Sequence, residues 1–232
     1  MSLTSNPQII SDLRLIMDFD HVLELMNIFR GVPFICRARV SSIHDDLVEI
    51  QTQDPAQVCL VQQKQTKVLG SDYFEPAVAR VASSDLLAGT AVLTNFSYQS
   101  TRLGERMIVR VEPKEPFPVM VETGDGQITV ELADLSLNGM GVRVELSDYS
   151  AALKPGTTVQ TSLLLPKGEV RLAGSILTAI KSSSAYRLSV RFLPNSPQRV
   201  TVFRYLIDRR AEIADELVQE YERALRAAAD AS

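Results

Sequence analysis

The chain has 232 residues, of which 45% are hydrophobic and 22% charged, with a formal net charge of −4. This composition is that of an ordinary globular protein with room for two domains. Because the chain is acidic and only 6% aromatic, we expect no nucleic-acid partner, and any anion site must be a local group of arginines. No run approaches the 18 apolar residues of a membrane span and the N-terminus lacks a signal pattern, which predicts a cytoplasmic protein.

The histidines and cysteines do not have the spacing of a metal site. The chain contains His21, His44, Cys36 and Cys59, and none of them is paired at the separation that zinc ligands use. Both cysteines lie in strand-like runs, where buried free thiols are the ordinary expectation and a disulfide is the alternative. We find no nucleophile elbow, phosphate-binding loop or histidine–carboxylate pair. The sequence therefore predicts no catalytic residues, no metal and no cofactor.

Residues 7–30 have the apolar periodicity of helices. The two stripes consist of Ile10, Leu13, Ile16 and Met17, then of Val22, Leu25, Met26 and Phe29. Asp18 or Asp20 is placed to cap the second helix, and Gly31 and Pro33 are placed to stop it. The pattern predicts two helices at the N-terminus.

Short strand-like runs follow, separated by polar turn clusters. They cover residues 34–43, 47–52, 57–63, 77–82 and 91–98. A small antiparallel barrel is the expected arrangement, because closure of the sheet leaves no unpaired edge. We therefore predict an N-terminal β-rich domain over 1–98.

A polar stretch containing Gly104 separates this half from a second β-rich half. We interpret residues 99–106 as a linker and 107–195 as a second barrel. Its strand-like runs cover residues 107–111, 118–123, 127–133, 140–146, 157–165, 169–180 and 186–193. Gly124-Asp125-Gly126 is a strong signal for a hairpin turn between the second and third of these runs. In the last run, alternation places Leu188 and Val190 in the core and Arg187 outside.

Ser196 and Pro197 mark the start of a long C-terminal helix over 196–232. Its first turns, 203–207, are expected to pack on the second barrel. Ile213, Leu217 and Ala224 form a later stripe that would face water if it had no partner. We therefore expect a homodimer through this helix, the N-terminal domain or both. The alternative is that the stripe packs on the N-terminal barrel of its own chain.

Two short motifs carry the chemistry. Arg102-Leu-Gly-Glu-Arg106 precedes the second half, and Asp134-Leu-Ser136-Leu-Asn-Gly139 lies within it. Arginine donates a pair of hydrogen bonds to the O6 and N7 edge of guanine, and it binds phosphate in the same bidentate manner. An aspartate accepts hydrogen bonds from guanine N1–H and N2–H, a serine binds phosphate or base, and glycine permits close backbone approach. The two motifs therefore predict a site for an anionic guanine nucleotide.

In this order and separation the motifs resemble the signature of PilZ domains, which are bacterial receptors for cyclic di-GMP. Residues 101–194 resemble such a domain, and the binding residues that the resemblance implies are Arg102, Arg106, Asp134, Ser136 and Gly139. The further candidates are Thr101, Asn138, Gly141, Arg143 and Ser189. Ser189 stands where the family usually has a glycine. Family members bind cyclic di-GMP on the barrel exterior, often as two intercalated molecules.

The predicted fold is mainly β, with two small antiparallel barrels, N-terminal helices and a long C-terminal helix. The first barrel is expected to be split-barrel-like or PilZ-like and the second to be PilZ, an order that resembles YcgR-like flagellar-brake proteins. This resemblance implies a cyclic di-GMP effector that changes its domain arrangement, signals to a protein partner, and controls motility, biofilm formation or secretion. The alternative is a PilZ-fold scaffold that docks to such machinery without sensing the ligand.

Overall fold

The computed structural model describes residues 6–70, 75–98, 109–194 and 196–231. The chain forms two compact units. The first consists of Met1–Phe29, Pro33–Met107 and Ile213–Ser232, and the second of Arg30–Val32 and Ile108–Glu212. Each unit contains one closed barrel of six strands, so the prediction of a mainly β protein with two small barrels is confirmed.

The first unit combines a barrel with two short helices. Its elements are α1 (Pro7–Asp18), β1 (Val22–Phe29), β2 (Val32–His44), β3 (Leu47–Gln51), α2 (Gln57–Gln63), β4 (Gln65–Val68), β5 (Ala77–Asp85) and β6 (Thr90–Tyr98). Neighbouring strands follow the order β1–β2–β3–β6–β5–β4 before the barrel closes. The buried face of α1 packs into the same core as the strands, through Ile9, Leu13 and Ile16. Asn6 caps α1 by accepting a 2.9 Å hydrogen bond from the Gln8 amide.

The second predicted helix is wrong, because residues 22–29 form strand β1. Leu23, Leu25 and Asn27 are its buried positions, at the period-two spacing of a strand. Asn27 is only 4% exposed, and its side-chain amide donates a 2.8 Å hydrogen bond to the carbonyl of Gln65. Thr66 Oγ1 donates to the Asn27 carbonyl oxygen at 2.7 Å. Because Asn27 is polar, the sequence does not show the apolar alternation of a strand. The residues that bond Asn27 and allow its burial lie almost forty positions away in the chain.

The predicted strand at 57–63 is also wrong, because these residues form α2. Four consecutive side chains from Gln57 to Leu60 are buried, and such a short run does not distinguish a strand from a buried helix. Gln57 Nε2 donates to the carbonyls of Asp85 and Thr90, each at 3.1 Å, which anchors the helix against β5 and β6. The strand β4, which follows directly, is absent from the prediction.

The second unit contains a barrel of long hairpins. Its elements are β7 (Phe117–Thr123), β8 (Gly126–Ser136), β9 (Gly139–Glu145), a 3-10 turn (Ala151–Leu153), β10 (Thr158–Leu165), β11 (Gly168–Lys181) and β12 (Ala185–Phe192). Antiparallel neighbours follow the order β10–β11–β12–β9–β8–β7. Thr123 pairs with Gly126 at the predicted hairpin turn. Val111, in the predicted strand 107–111, forms a single bridge with Leu135. The predicted strand 140–146 corresponds to β9, and Leu146 lies beyond the end of that strand and is exposed.

The C-terminal helix α3 (Arg199–Asp230) begins slightly later than predicted. Val202 is buried in the core of the second barrel, whereas Phe203, predicted to pack there, is 50% exposed. Arg209 is buried and donates a 2.8 Å hydrogen bond from Nε to the carbonyl of Glu112. Its neighbour Arg210 is exposed.

The later part of α3 belongs to the first unit. Ile213 and Leu217 are buried, and Leu217 lies in the same hydrophobic cluster as the first barrel. Tyr221 and Ala224 pack against that cluster. The stripe therefore does not face water, and packing within the chain removes the reason for a dimer through this stripe.

Cys36 and Cys59 are buried free thiols, as the sequence predicts. Burial raises the pKa of Cys36 to about 11 and that of Cys59 to about 12. Among the described residues, no helix has the length and apolar character needed to cross a bilayer. The same residues contain no cluster of three or more histidine, cysteine, aspartate or glutamate side chains placed to hold a metal ion.

Candidate functional site

A β-bulge in β8 sets the direction in which the aspartate–serine motif points. The pairing of β8 with β9 shifts between Leu132 and Asp134, which leaves Ala133 as one extra residue. The β8 side chains that lie in the barrel core are those of Val130, Leu132 and Leu135. The extra residue therefore shifts the inward–outward alternation by one position, so that Asp134 and Ser136 both lie on the outer face of the barrel.

Residues paired across β8, β9 and β12 form two rows on this outer face. The first row contains Asp134, Gly141 and Ser189, and the second contains Ser136, Gly139 and Arg191. Five of these six residues are site candidates from the sequence, and Arg191 is the addition. The strands thus bring together residues that are more than fifty positions apart in the chain.

Two glycines keep this face free of side chains where the strands approach closely. A Cβ atom at Gly141 would overlap Oδ2 of Asp134. A Cβ atom at Gly139 would overlap the carbonyl oxygen of Val190 on β12. Gly141 therefore makes room for the carboxylate of Asp134, and Gly139 lets the backbones of β9 and β12 come together.

The Asp134 carboxylate lies between two arginines. Its side chain is 6% exposed, and its Oδ2 accepts a hydrogen bond from Nη2 of Arg187 on β12. Its Oδ1 lies 3.4 Å from Nη1 of Arg110, which precedes β7. The arginine side chains are 58% and 51% exposed, respectively, so one end of each ion pair is open to solvent. A buried carboxylate is stable only with such partners, which explains why this face carries them.

The serine and asparagine of the motif form hydrogen bonds that stabilise the turn between β8 and β9. Ser136 is buried and its Oγ donates a 2.8 Å hydrogen bond to the carbonyl oxygen of Gly139, which closes the turn. Arg199, at the start of α3, donates from Nε to the carbonyl of Leu137 at 3.2 Å. The same guanidinium binds the side-chain oxygen of Asn138. Ser136 and Asn138 therefore already have structural partners within the second unit.

Two arginines are paired across β9 and β12 in the row on the far side of Asp134 from Ser136. Arg143 on β9 pairs directly with Arg187 on β12. Arg143 Nη2 donates to Ser184 Oγ at 3.3 Å, and its Nε lies 4.0 Å from a carboxylate oxygen of Glu145. Beside Arg143 is an open groove of about 330 Å³. It is lined by Pro116, Phe117, Pro118, Thr129, Val130, Glu131, Arg143, Glu145 and Asp148.

Three site candidates, Thr101, Arg102 and Arg106, lie outside the described residues. The sequence did not predict roles for Arg110 and Arg187 in the site. The available signal for Arg187 was its outward position in the alternation of β12, but the register that places it next to Asp134 is not encoded locally. Arg110 lies between the two motifs in the chain and had no distinguishing spacing.

The arrangement is suited to a planar ligand that carries both donors and negative charge. The carboxylate of Asp134 is an acceptor for N–H donors and is now engaged by Arg187 and Arg110, whose open sides offer guanidinium groups to anions. The two glycines make room for neighbouring atoms, Gly141 for Oδ2 of Asp134 and Gly139 for the carbonyl oxygen of Val190. Histidine and cysteine side chains are absent from these two rows of described residues.

Residues 101–208 match the family model of the PilZ domain. An uncharacterized protein of Aquifex aeolicus (strain VF5) is 29% identical over 124 residues, which span 53% of this chain and 58% of that protein. The chain thus matches somewhat more than half the length of this relative.

Two solved structures are among those similar to this chain. The PilZ domain of YcgR from Escherichia coli with c-di-GMP is 23% identical, with a TM-score of 0.44, covering 48% of this chain and 96% of that one. YcgR from Escherichia coli in complex with c-di-GMP is 20% identical, with a TM-score of 0.38, covering 98% and 95%. The family match includes both sequence motifs and the second barrel. Residues 101–208 of this chain are therefore similar to a PilZ domain.

Proposed function

We propose that this protein is a receptor for cyclic di-GMP that binds the dinucleotide on the outer face of β8, β9 and β12. The observation that carries the proposal is the position of Asp134 and Ser136 on one outer face, each paired with a glycine of β9, Gly141 and Gly139 respectively. The arginine pair of the motif precedes this barrel in the chain. A PilZ domain that retains both motifs is expected to retain the ligand of its family.

Each part of the ligand has a chemical counterpart in the proposed site. Guanine N1–H and N2–H form a donor pair that a carboxylate such as Asp134 accepts. Guanidinium groups bind phosphate in bidentate geometry and stack on purines, which are the roles we assign to Arg102 and Arg106. The further candidates Thr101 and Ser189 would lie at the margin of the bound dinucleotide. This division of roles makes Asp134 the residue that selects guanine.

We propose that the protein acts as an effector, not as an enzyme, and that ligand binding changes its domain arrangement. Arg102 and Arg106 lie in the sequence between the two barrels, so engagement of both by one ligand would order this segment. The output would pass to a protein partner in motility, biofilm formation or secretion, inside the cell. A homodimer remains part of the proposal only through surfaces other than the stripe at Ile213 and Leu217, which is buried.

The second candidate is a PilZ-fold scaffold that docks to such machinery without binding the ligand. The observation that favours it is that Asp134, Ser136 and Asn138 all have partners within the chain. Under this alternative the motif residues only stabilise the barrel. The two functions differ in one measurable property, the affinity for cyclic di-GMP.

Titration calorimetry of the full chain with cyclic di-GMP tests the proposal, with GTP and cyclic di-AMP as controls. We expect saturable binding of cyclic di-GMP alone. Arg102→Ala and Arg106→Ala should each remove most of the affinity, since a charge-assisted bond to a ligand contributes about 1.5–3 kcal/mol. Absence of heat at ligand concentrations on the order of tens of micromolar would support the scaffold.

Limited trypsin digestion tests the proposed change in domain arrangement. We expect cleavage after Arg102 or Arg106 in the free protein and suppression of that cleavage by cyclic di-GMP. Cleavage after Lys167, an exposed residue in the turn between β10 and β11 that is followed by glycine, is the internal control and should not respond to ligand. Equal cleavage at the arginines with and without ligand would indicate a static site.

A further inference from the structure

We infer that Arg187 acts as an internal competitor for the guanine-reading carboxylate and thereby sets the affinity of the site. This inference rests on the proposed function, because it describes how the same site is regulated. The observation behind it is that both oxygens of Asp134 already face arginines, Oδ2 toward Arg187 and Oδ1 toward Arg110. With 6% of its side chain exposed, Asp134 has little free surface to offer a ligand.

Arg187 and guanine present the same kind of group to Asp134. A guanidinium offers parallel N–H donors to a carboxylate, and the N1–H and N2–H of guanine form a similar fork. Both require the same oxygens in the same plane, so Asp134 cannot bind both fully at once. For a guanine to be read, the Arg187 guanidinium must leave Oδ2, the atom to which it now donates.

The position of Arg187 explains why it occupies Asp134. It is paired across the β9–β12 ladder with Arg143, and like charges directly opposite on neighbouring strands repel. Arg143 is turned toward Ser184 and Glu145, and Arg187 is turned the other way, toward Asp134. The Asp134–Arg187 contact therefore relieves the repulsion and satisfies the buried carboxylate at the same time.

The exchange is nevertheless accessible, because the Arg187 side chain is 58% exposed. Release into solvent costs an exposed guanidinium little, since water restores its hydrogen bonds. Arg110 remains beside Oδ1, at 3.4 Å, so the carboxylate keeps one partner during the exchange. Arg187 thus raises the ligand concentration that is needed for binding, but it does not block the site.

The test compares Arg187→Ala with Arg191→Ala by calorimetry of the full chain with cyclic di-GMP. Arg191 lies on the same face of β12, in register with Gly139, and makes no ion pair among the described residues. Both changes remove one positive charge beside the site. Removal of the competitor should tighten binding by about fivefold in Arg187→Ala, the scale of one partly exposed ion pair. Arg191→Ala, which loses only favourable charge, should bind no more tightly than the wild-type protein.

Arg187→Gln, which keeps a neutral donor toward Asp134, should fall between the wild-type protein and Arg187→Ala; thermal unfolding of each variant monitors the fold. Unchanged or weaker binding by Arg187→Ala, with the wild-type protein binding normally, would overturn the inference and leave the proposed function intact. Absence of binding by the wild-type protein and by Arg187→Ala would overturn both. If Arg187→Ala binds cyclic di-GMP and the wild-type protein does not, the inference is supported, and Arg187 competes strongly enough to prevent binding.

Discussion

The carboxylate of Asp134 lies over the α-carbon of Gly141, its partner across the β8–β9 ladder. A side chain at position 141 would occupy the space of Oδ2, the atom that accepts from Arg187. Because Gly141 has no side chain, the carboxylate of Asp134 fits beside it, and the two residues form one structural unit.

The first prediction concerns this unit. Gly141→Ala should displace the Asp134 carboxylate, destabilise the second barrel by about 1–3 kcal/mol and weaken cyclic di-GMP binding by about tenfold, the loss of one charge-assisted hydrogen bond. Thermal unfolding and calorimetry measure the two effects. Gly124→Ala is the matched control, because a Cβ there meets nothing within 4 Å. Equal behaviour of the two variants would contradict the role of Gly141.

The second prediction separates the structural role of Ser136 from its proposed role in binding. Ser136→Ala removes the 2.8 Å hydrogen bond to the Gly139 carbonyl and should cost about 1 kcal/mol of stability. Thr161→Val removes a hydrogen bond of the same length, from Thr161 Oγ1 to the Leu172 carbonyl, elsewhere in the same barrel. Urea unfolding should show similar losses, but only Ser136→Ala should also weaken ligand binding. A scaffold would show no difference between the variants in that assay.

The aspartate–serine motif could be identified from the sequence because its residues are contiguous and their spacing places them on one face. The bulge at Ala133 is what makes this placement correct, and it depends on pairing with β9. The arginine partners of Asp134 could not be predicted in the same way. Arg187 meets Asp134 only through the register of two strand pairs, which no local pattern specifies.

Both errors in the first barrel involve a buried polar side chain. In β1, the inward position of Asn27 is polar, and the spacing of the remaining apolar residues then fits a helix. In α2, Gln57 is fully buried because its side chain bonds two carbonyls of the neighbouring strands. Buried polar side chains with distant partners interrupt hydrophobic periodicity, so the pattern indicates the wrong element.

The third prediction concerns the late part of α3. Leu217 is 4% exposed in the core of the first unit, whereas the adjacent Val218 is 43% exposed. Leu217→Glu should lower the free energy of unfolding by about 3 kcal/mol or more, because it buries a charge; Val218→Glu should have little effect. Sedimentation velocity of both variants provides the second readout. A stable Leu217→Glu protein that dissociates from dimer to monomer would place the stripe at an interface between copies instead.

The fourth prediction concerns the thiols of the first barrel. Burial raises the pKa of Cys36 to about 11 and of Cys59 to about 12, so both should resist alkylation at pH 8 until the protein unfolds. Because the folded pKa values exceed the ordinary value of 9.0, the unfolded chain loses these protons first as pH rises. Stability should therefore fall above pH 9, and less steeply in a Cys36→Ala/Cys59→Ala variant. Rapid alkylation of the native protein would contradict the burial of both groups.

The last prediction concerns the reading of guanine by Asp134, and the measurement is the ratio of affinities for cyclic di-GMP and cyclic di-AMP in the wild-type protein and in Asp134→Ala. Adenine lacks the N1–H and N2–H donors, so we expect a strong preference for cyclic di-GMP that falls toward unity when the carboxylate is removed. Glu131→Ala, which removes an exposed carboxylate from the same strand and face, should keep the wild-type ratio. Failure of the wild-type protein to bind cyclic di-GMP, or an unchanged preference in Asp134→Ala, would contradict the proposal that this face is a guanine-reading site.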